Sequence, residues 1–191
     1  MATTVKRRKP TLKHRIEIAA FGLFQDMGIN SVTVDAIAEA ADTNKMGVYR
    51  NFGSKDALVE AWITDTIARY RGVLDELEFK LPDDPRGQLR GFAQHIADTL
   101  PAIADRGCPF VNTLAEVGDS QHPLSKRIIA HKKGQAERLA KLCSEANLES
   151  PEQAAAHLTF ALEGAQVSSQ NGSINEIAAK LMQVVDLITQ E

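Results

Sequence analysis

The chain of 191 residues and 20.8 kDa is 43% hydrophobic and 25% charged, a balance that suits a soluble globular protein and excludes a fibre or wholesale disorder. No apolar run approaches the ~18 residues of a membrane span, and the charged start Met1 to Pro10 lacks the apolar stretch of a secretory signal. Two cysteines, Cys108 and Cys143, are too few for a disulfide framework, so a reducing cytoplasm is the expected setting.

The net charge of −3 conceals an asymmetry: residues 1–55 carry nine Lys/Arg against five acids, and the other 136 carry 13 against 20. A basic head on an acidic body suits a nucleic-acid reader, whose one end attracts phosphate while the rest repels it. Basic termini without any such role are also common.

From Pro10 to Gly28 the apolar residues Ile16, Ala19, Ala20, Leu23, Phe24 and Met27 recur along one helix face. Thr11 can cap its start, and Gly28 can end it in a left-handed conformation. Thr33 can cap a short second helix with the stripe Val34, Ile37, Ala38 and Ala41. A third helix runs from Lys45 to Phe52 with Val48 and Phe52 turned inward. Gly53 and Ser54 then break the chain before a long fourth helix that reaches Phe79. The run from Leu81 to Pro85 reads as a linker. Asp84 caps the next helix, which carries Leu89, Phe92, Ile96 and Leu100 before Pro101. The chain turns again at Gly107-Cys108-Pro109, and a further helix opens at His122-Pro123 and ends near Asn147. Ser150-Pro151-Glu152-Gln153 and Ser173-Ile174-Asn175-Glu176 both match the capping box. No strand-like alternation or internal repeat is visible. The expected fold is all-α with about nine helices, divided into a module at 1–53 and a larger helical body at 54–191.

The stretch 33–52 carries the functional signal. Two short helices joined by a few polar residues cannot bury their apolar faces alone, so they need the first helix, whose Leu23 and Phe24 fill the space between Ile37, Val48 and Phe52. That leaves the second of the pair facing outward, with Lys45, Met46, Gly47, Tyr49, Arg50 and Asn51 and no acid among them. A helix-turn-helix sets such a helix in the DNA major groove. Lys45 can donate to guanine O6/N7, Met46 can pack on a thymine methyl, and Gly47 permits close backbone approach.

The pattern Ile16-x-x-Ala19-Ala20, Leu23-Phe24, Gly28, Thr33-Val34-x-x-Ile37-Ala38-x-x-Ala41, Val48-Tyr49-x-x-Phe52-x-Ser54-Lys55-x-x-Leu58 resembles the N-terminal signature of TetR-family transcriptional regulators. The resemblance implies a homodimeric repressor whose larger C-terminal domain binds a small molecule and then releases DNA. It implies that Thr33 caps its helix and bonds a phosphate, and that Lys45, Met46 and Gly47 meet base edges. Tyr49 would reach phosphate or base, Asn51 would stand at a phosphate-contact position, and Lys55 would bind phosphate beside a positive helix end.

Three features depart from or add to that pattern. Asp42 stands where the family turn has glycine, and Thr43 replaces its apolar neighbour; Asp tolerates the left-handed conformation, so the turn survives. Asp35 occupies a groove-facing position, and it either points away, the favoured reading, or accepts from a cytosine amino group. The basic run Lys6-Arg7-Arg8-Lys9 either follows the minor groove or phosphates, or is a solvated tail.

In the body, the last two helices hold Ala154, Ala155, Ala156, Ala161, Gly164 and Ala165, then Ile174, Ile177, Ala178, Leu181, Val185 and Ile188. This stripe reads as a homodimer interface, or else as the closing face of the monomer core. Trp62, Phe92, His95, Cys108, Phe110, Asn112 and Glu116, with Tyr70, are candidates for an effector pocket with few polar anchors. The five histidines (14, 95, 122, 131, 157) show no metal spacing. No phosphate loop, nucleophile elbow or paired carboxylates stand out, so no cofactor, metal or catalytic residue is expected. The expected function is a sequence-specific DNA-binding repressor that leaves a palindromic operator when a small molecule binds. An activator, or a helical sensor or carrier that has lost DNA binding, is the alternative.

Overall fold

The computed structural model describes residues 10–190; the basic run at 6–9 lies outside them. Among the described residues the chain is all-helical: α1 (Leu12–Met27), α2 (Val34–Ala40), α3 (Lys45–Phe52), α4 (Lys55–Lys80), α5 (Pro85–Ile103), α6 (Pro109–Val117), α7 (Pro123–Glu145), α8 (Pro151–Asn171) and α9 (Ile177–Gln190).

Side-chain caps set most of the starts. Thr11 accepts from His14 N at 3.3 Å, Thr33 from Ala36 N at 3.1 Å, Asn44 from Gly47 N at 2.9 Å, Ser54 from Ala57 N at 3.1 Å and Asp84 from Gly87 N at 2.8 Å. Each satisfies one amide that the first turn leaves unpaired. Gly28 (φ 81°) ends α1, and its N–H donates to the Phe24 carbonyl.

Several local expectations differ. Ser150 flanks α8, but its hydroxyl makes no cap bond. The second capping box does not form at all. Asn171 Oδ1 takes the Ser173 N–H, Glu176 turns left-handed (φ 54°), and α9 starts only at Ile177. Pro101 does not end α5, which continues to Ile103; Pro101 lacks only the N–H that would have met the Ala97 carbonyl. Met27 is exposed rather than part of the α1 core stripe.

The chain divides into two compact units, one ending at Trp62 and the other beginning at Ile63. The division therefore falls within α4, not before it at 53/54. The cause is packing: Leu58, Val59 and Trp62 are buried, and the Trp62 ring lies 5.6 Å from that of Phe24. Within the first unit α1 packs on α2 and α3, and Ile16, Ala20, Phe24, Ile37, Ala38 and Val48 form the interior.

In the second unit α5 packs against α7, α8 and α9. Its core draws Phe92, Ile96 and Leu100 from α5, Leu139 and Leu142 from α7, Leu158 and Leu162 from α8, and Leu181 and Val185 from α9. Truncating a fully buried ring such as Phe92 to alanine costs about 3–5 kcal/mol. The predicted interface stripe on α9 is thus largely monomer core. A different surface stays open: Phe160 (72% exposed) and Val167 on α8, and Val184 and Leu187 on α9, with open space beside Gly164.

Candidate nucleic-acid interface

The caps decide how α3 is presented. Asn44 holds its first turn, Val48 is buried against α1 and α2, and Gly53 (φ 75°) closes it by donating to the Tyr49 carbonyl at 2.8 Å. The opposite face carries Met46 (58% exposed), Tyr49 (40% exposed) and Arg50. Tyr49 is therefore a surface residue and not part of the core.

Asp42, with φ 51°, takes the left-handed turn position. Arg15 on α1 secures it, donating to the Asp42 carboxylate at 3.2 Å and to its carbonyl at 3.3 Å. Nothing in the local spacing announces this cross-helix clamp, because Arg15 and Asp42 meet only once α1 packs on the turn.

Asp35 has a partner within the protein. Its carboxylate accepts from Lys45 Nζ at 3.1 Å, with both side chains largely in solvent. The hydrogen bond to Asp35, then its charge, raises the Lys45 pKa above the usual lysine value. Lys45 thus remains charged but is partnered by an acid from α2.

Two further positions have structural reasons independent of DNA. A Cβ on Gly47 would meet Thr43 Oγ1, so any other residue there would make that hydroxyl swing aside. Asn51 is half-buried, and its amide nitrogen donates one of its two hydrogens to the Gly47 carbonyl at 2.8 Å. Thr33 keeps its hydroxyl hydrogen available while capping α2. Lys55 lies in the first turn of α4 behind the Ser54 cap, where the helix end is electropositive.

The candidate pocket residues scatter. Trp62 belongs to the first unit, against Phe24. Phe92 is core, and Cys108 is buried beside α6. Asn112 donates to the Arg106 carbonyl, and Glu116 pairs with Arg106 at 2.7 Å. His95 and Phe110 flank Tyr70, at ring separations of 6.5 Å and 5.3 Å. A cavity of about 250 Å³ is lined by Tyr70, Arg71 and Leu74 of α4 and His131, Gln135 and Arg138 of α7. A smaller space of about 20 Å³ adjoins it through Tyr70 and Gln135 and reaches Thr159, Glu163 and Gln166 of α8. Burial pushes Tyr70 up to about 12 and His131 down to about 4, the latter aided by Lys132 and Arg71. Both are neutral near pH 7. Of these lining residues only Tyr70 drew notice from its sequence setting.

Among the described residues no group of three or more His, Cys, Asp or Glu is arranged to hold a metal ion, and no helix is long and apolar enough to cross a membrane.

Fold and surface together define a helix-turn-helix protein with a separate helical body. Residues 18–62 match the family model described as bacterial regulatory proteins, tetR family. Over 90 residues the chain is 33% identical to MftR of Mycobacterium tuberculosis, whose name ties it to transcriptional regulation of mycofactocin biosynthesis, covering 46% of each protein. It is 28% identical over 135 residues to the HTH-type transcriptional regulator AcrR of Shigella flexneri, covering 65% of this chain and 62% of that one. These alignments span less than two thirds of either relative. The crystal structure of a TetR-family transcriptional regulator from Streptomyces coelicolor has the same fold, with a TM-score of 0.86 over 94% of both chains at 24% identity. Over residues 18–62, then, the chain is similar to the N-terminal segment of the tetR family of bacterial regulatory proteins.

Proposed function

We propose that the protein is a homodimeric, cytoplasmic DNA-binding transcriptional regulator, a repressor that leaves a palindromic operator when a small molecule occupies the helical body. The observation that carries this reading is the outward face of α3. Met46, Tyr49 and Arg50 stand exposed on a helix whose opposite side is anchored by Val48, the presentation that a major-groove reader requires. Thr33 and Lys55, at the starts of α2 and α4, supply phosphate contacts on this reading.

The dimer is supported by the apolar surface that α8 and α9 leave open, with Phe160, Val167, Val184 and Leu187 exposed and Gly164 allowing close approach of a second backbone. A two-fold partner through these helices is what a palindrome demands.

The test is a gel shift at rising salt on fragments selected from the source genome. Preferential binding of a palindromic fragment is expected, with affinity falling steeply as salt rises. Failure to bind any fragment at low salt overturns the proposal. The second reading, a helical small-molecule sensor without DNA binding, draws on the Asp35–Lys45 pair, which offsets the charge of the first recognition residue. DNA affinity equal to that of an acidic control protein would select it.

A further inference from the structure

Buried polar atoms without partners mark where a protein is chemically incomplete. Four stand out among the described residues: Ser125 Oγ, His131 Nε2, Gln135 Oε1 and Gln166 Oε1. His131 and Gln166 are each only 3% exposed. Three of the four belong to side chains lining the two adjoining spaces beside Tyr70: His131 and Gln135 in the larger, Gln135 and Gln166 in the smaller. Leaving such atoms unpaired costs stability, whereas supplying donors to them recovers it. The two glutamine oxygens are acceptors and demand hydrogen-bond donors.

The walls restrict the donor's charge. Arg138 is already held by Asp75 and Glu78, and Lys132 by Glu163 at 3.0 Å. Tyr70 and His131 are uncharged near neutral pH. Arg71 is exposed, at the solvent side of the lining. Counted together, Arg71 and Arg138 match Asp75 and Glu78, and Lys132 matches Glu163, so the walls carry no net charge and a ligand charge carried inward would lose its hydration without a net counter-charge.

The walls also restrict shape. Tyr70, Phe110 and His131 form an aromatic cluster, with ring separations of 5.3 Å, 6.3 Å and 4.8 Å. Two of these rings line the cavity. A volume of about 250 Å³ falls just below the ~300–1,000 Å³ typical of drug-sized ligands, which suits a molecule of one or two rings.

We infer that the cavity between α4 and α7, together with the smaller space that shares Tyr70 and Gln135 with it, takes an uncharged, planar aromatic molecule bearing at least two hydrogen-bond donors, of the hydroxybenzamide type, with Gln135 accepting in the larger space, Gln166 in the smaller, and His131 completing the polar set. This assignment rests on the reading of the helical body as the sensing part, and it names the chemical class of the effector.

The test uses the full chain and five probes at millimolar concentration: 3-hydroxybenzamide, 4-hydroxybenzamide, benzoate, benzylammonium and toluene. At about a hundredfold excess over Kd, binding raises Tm by about 5–10 °C for a chain of this size. A rise with either hydroxybenzamide, at least tenfold tighter binding than for the other three, and its loss in Gln135→Leu/Gln166→Leu support the inference. That double variant replaces unpaired buried acceptors by apolar groups, so its Tm without ligand should not fall, and it should bind toluene better than the parent does. No rise with either hydroxybenzamide, equal binding of benzoate or benzylammonium, or undiminished binding by the double variant overturns it. A gel shift on the selected operator, run with the same probes, separates the two proposals. Probe binding by a chain that never binds DNA leaves the cavity assignment standing and removes the regulator. DNA binding without any probe effect on Tm does the reverse.

Discussion

Asp35 and Lys45 are joined across the helix-turn-helix, carboxylate oxygen to ammonium nitrogen at 3.1 Å. The acid sits in the first turn of α2 and the lysine in the first turn of α3. One side chain of α3, the reading helix under the proposed function, is therefore partnered by its neighbour helix in the free protein. Asp35→Asn should release Lys45 to the phosphates, raise affinity for unrelated DNA, and steepen the slope of log K against log salt by about 0.9. Lys45→Ala should instead relax preference at one base pair by about tenfold while leaving that slope nearly unchanged. Fluorescence anisotropy with a matched and a scrambled duplex at several salt concentrations checks both. Identical behaviour of the two variants would remove Lys45 from base readout.

Lys55 makes the opposite prediction. At the start of α4 it meets no base in this reading, so Lys55→Ala should weaken binding to all duplexes alike and flatten the salt slope by about 0.9. Loss confined to the operator sequence would contradict the assignment.

The turn at Asp42 is a stability question. Its φ of 51° is one that β-branched residues resist, and Arg15 binds its carboxylate and carbonyl. Asp42→Val should cost about 1–2 kcal/mol through the backbone alone. Asp42→Gly should come closer to neutral, since the relief of φ offsets the lost ion pair. Urea unfolding of the full chain, read by Trp62 fluorescence, measures both.

His131 couples the cavity to acidity. Its pKa is depressed to about 4 in the folded chain, from an ordinary 6.5, first by burial and then by Lys132 and Arg71. Between those values the unfolded chain takes up a proton that the folded chain refuses. Stability is therefore complete above about pH 6.5 and falls as pH drops toward 4, by roughly 2–3 kcal/mol in all. In His131→Phe this part of the pH dependence should vanish from a series of unfolding curves between pH 7 and 4. An unchanged series would place the titration elsewhere.

Phe160, Val184 and Leu187 test the assembly. Leu187→Glu, on an exposed position that should not disturb the monomer core, should shift the protein from dimer to monomer in sedimentation. It should also cost operator affinity by at least tenfold, because the two-fold gain is lost. A variant that stays dimeric would locate the interface on another face.

Much of the chain could be read without coordinates. Caps such as Thr11, Thr33 and Asp84, stops such as Gly28 and Gly53, and the period of Val34, Ile37, Ala38 and Ala41 are local features, and local sterics and hydrogen bonding suffice to interpret them. The outward face of α3 was legible for the same reason: once Val48 is taken as buried, the helix period leaves Met46, Tyr49 and Arg50 outside. Packing alone decided the remainder. Both faces of α9 are apolar, so only its neighbours determine that Leu181 and Val185 enter the core while Val184 and Leu187 stay open. The Asp35–Lys45 and Arg15–Asp42 pairs, and the unpaired His131 and Gln166 beside Tyr70, likewise arise from residues on different helices or turns. A helix period sorts side chains around one axis, whereas burial and hydrogen-bond satisfaction depend on which other axes come to lie alongside.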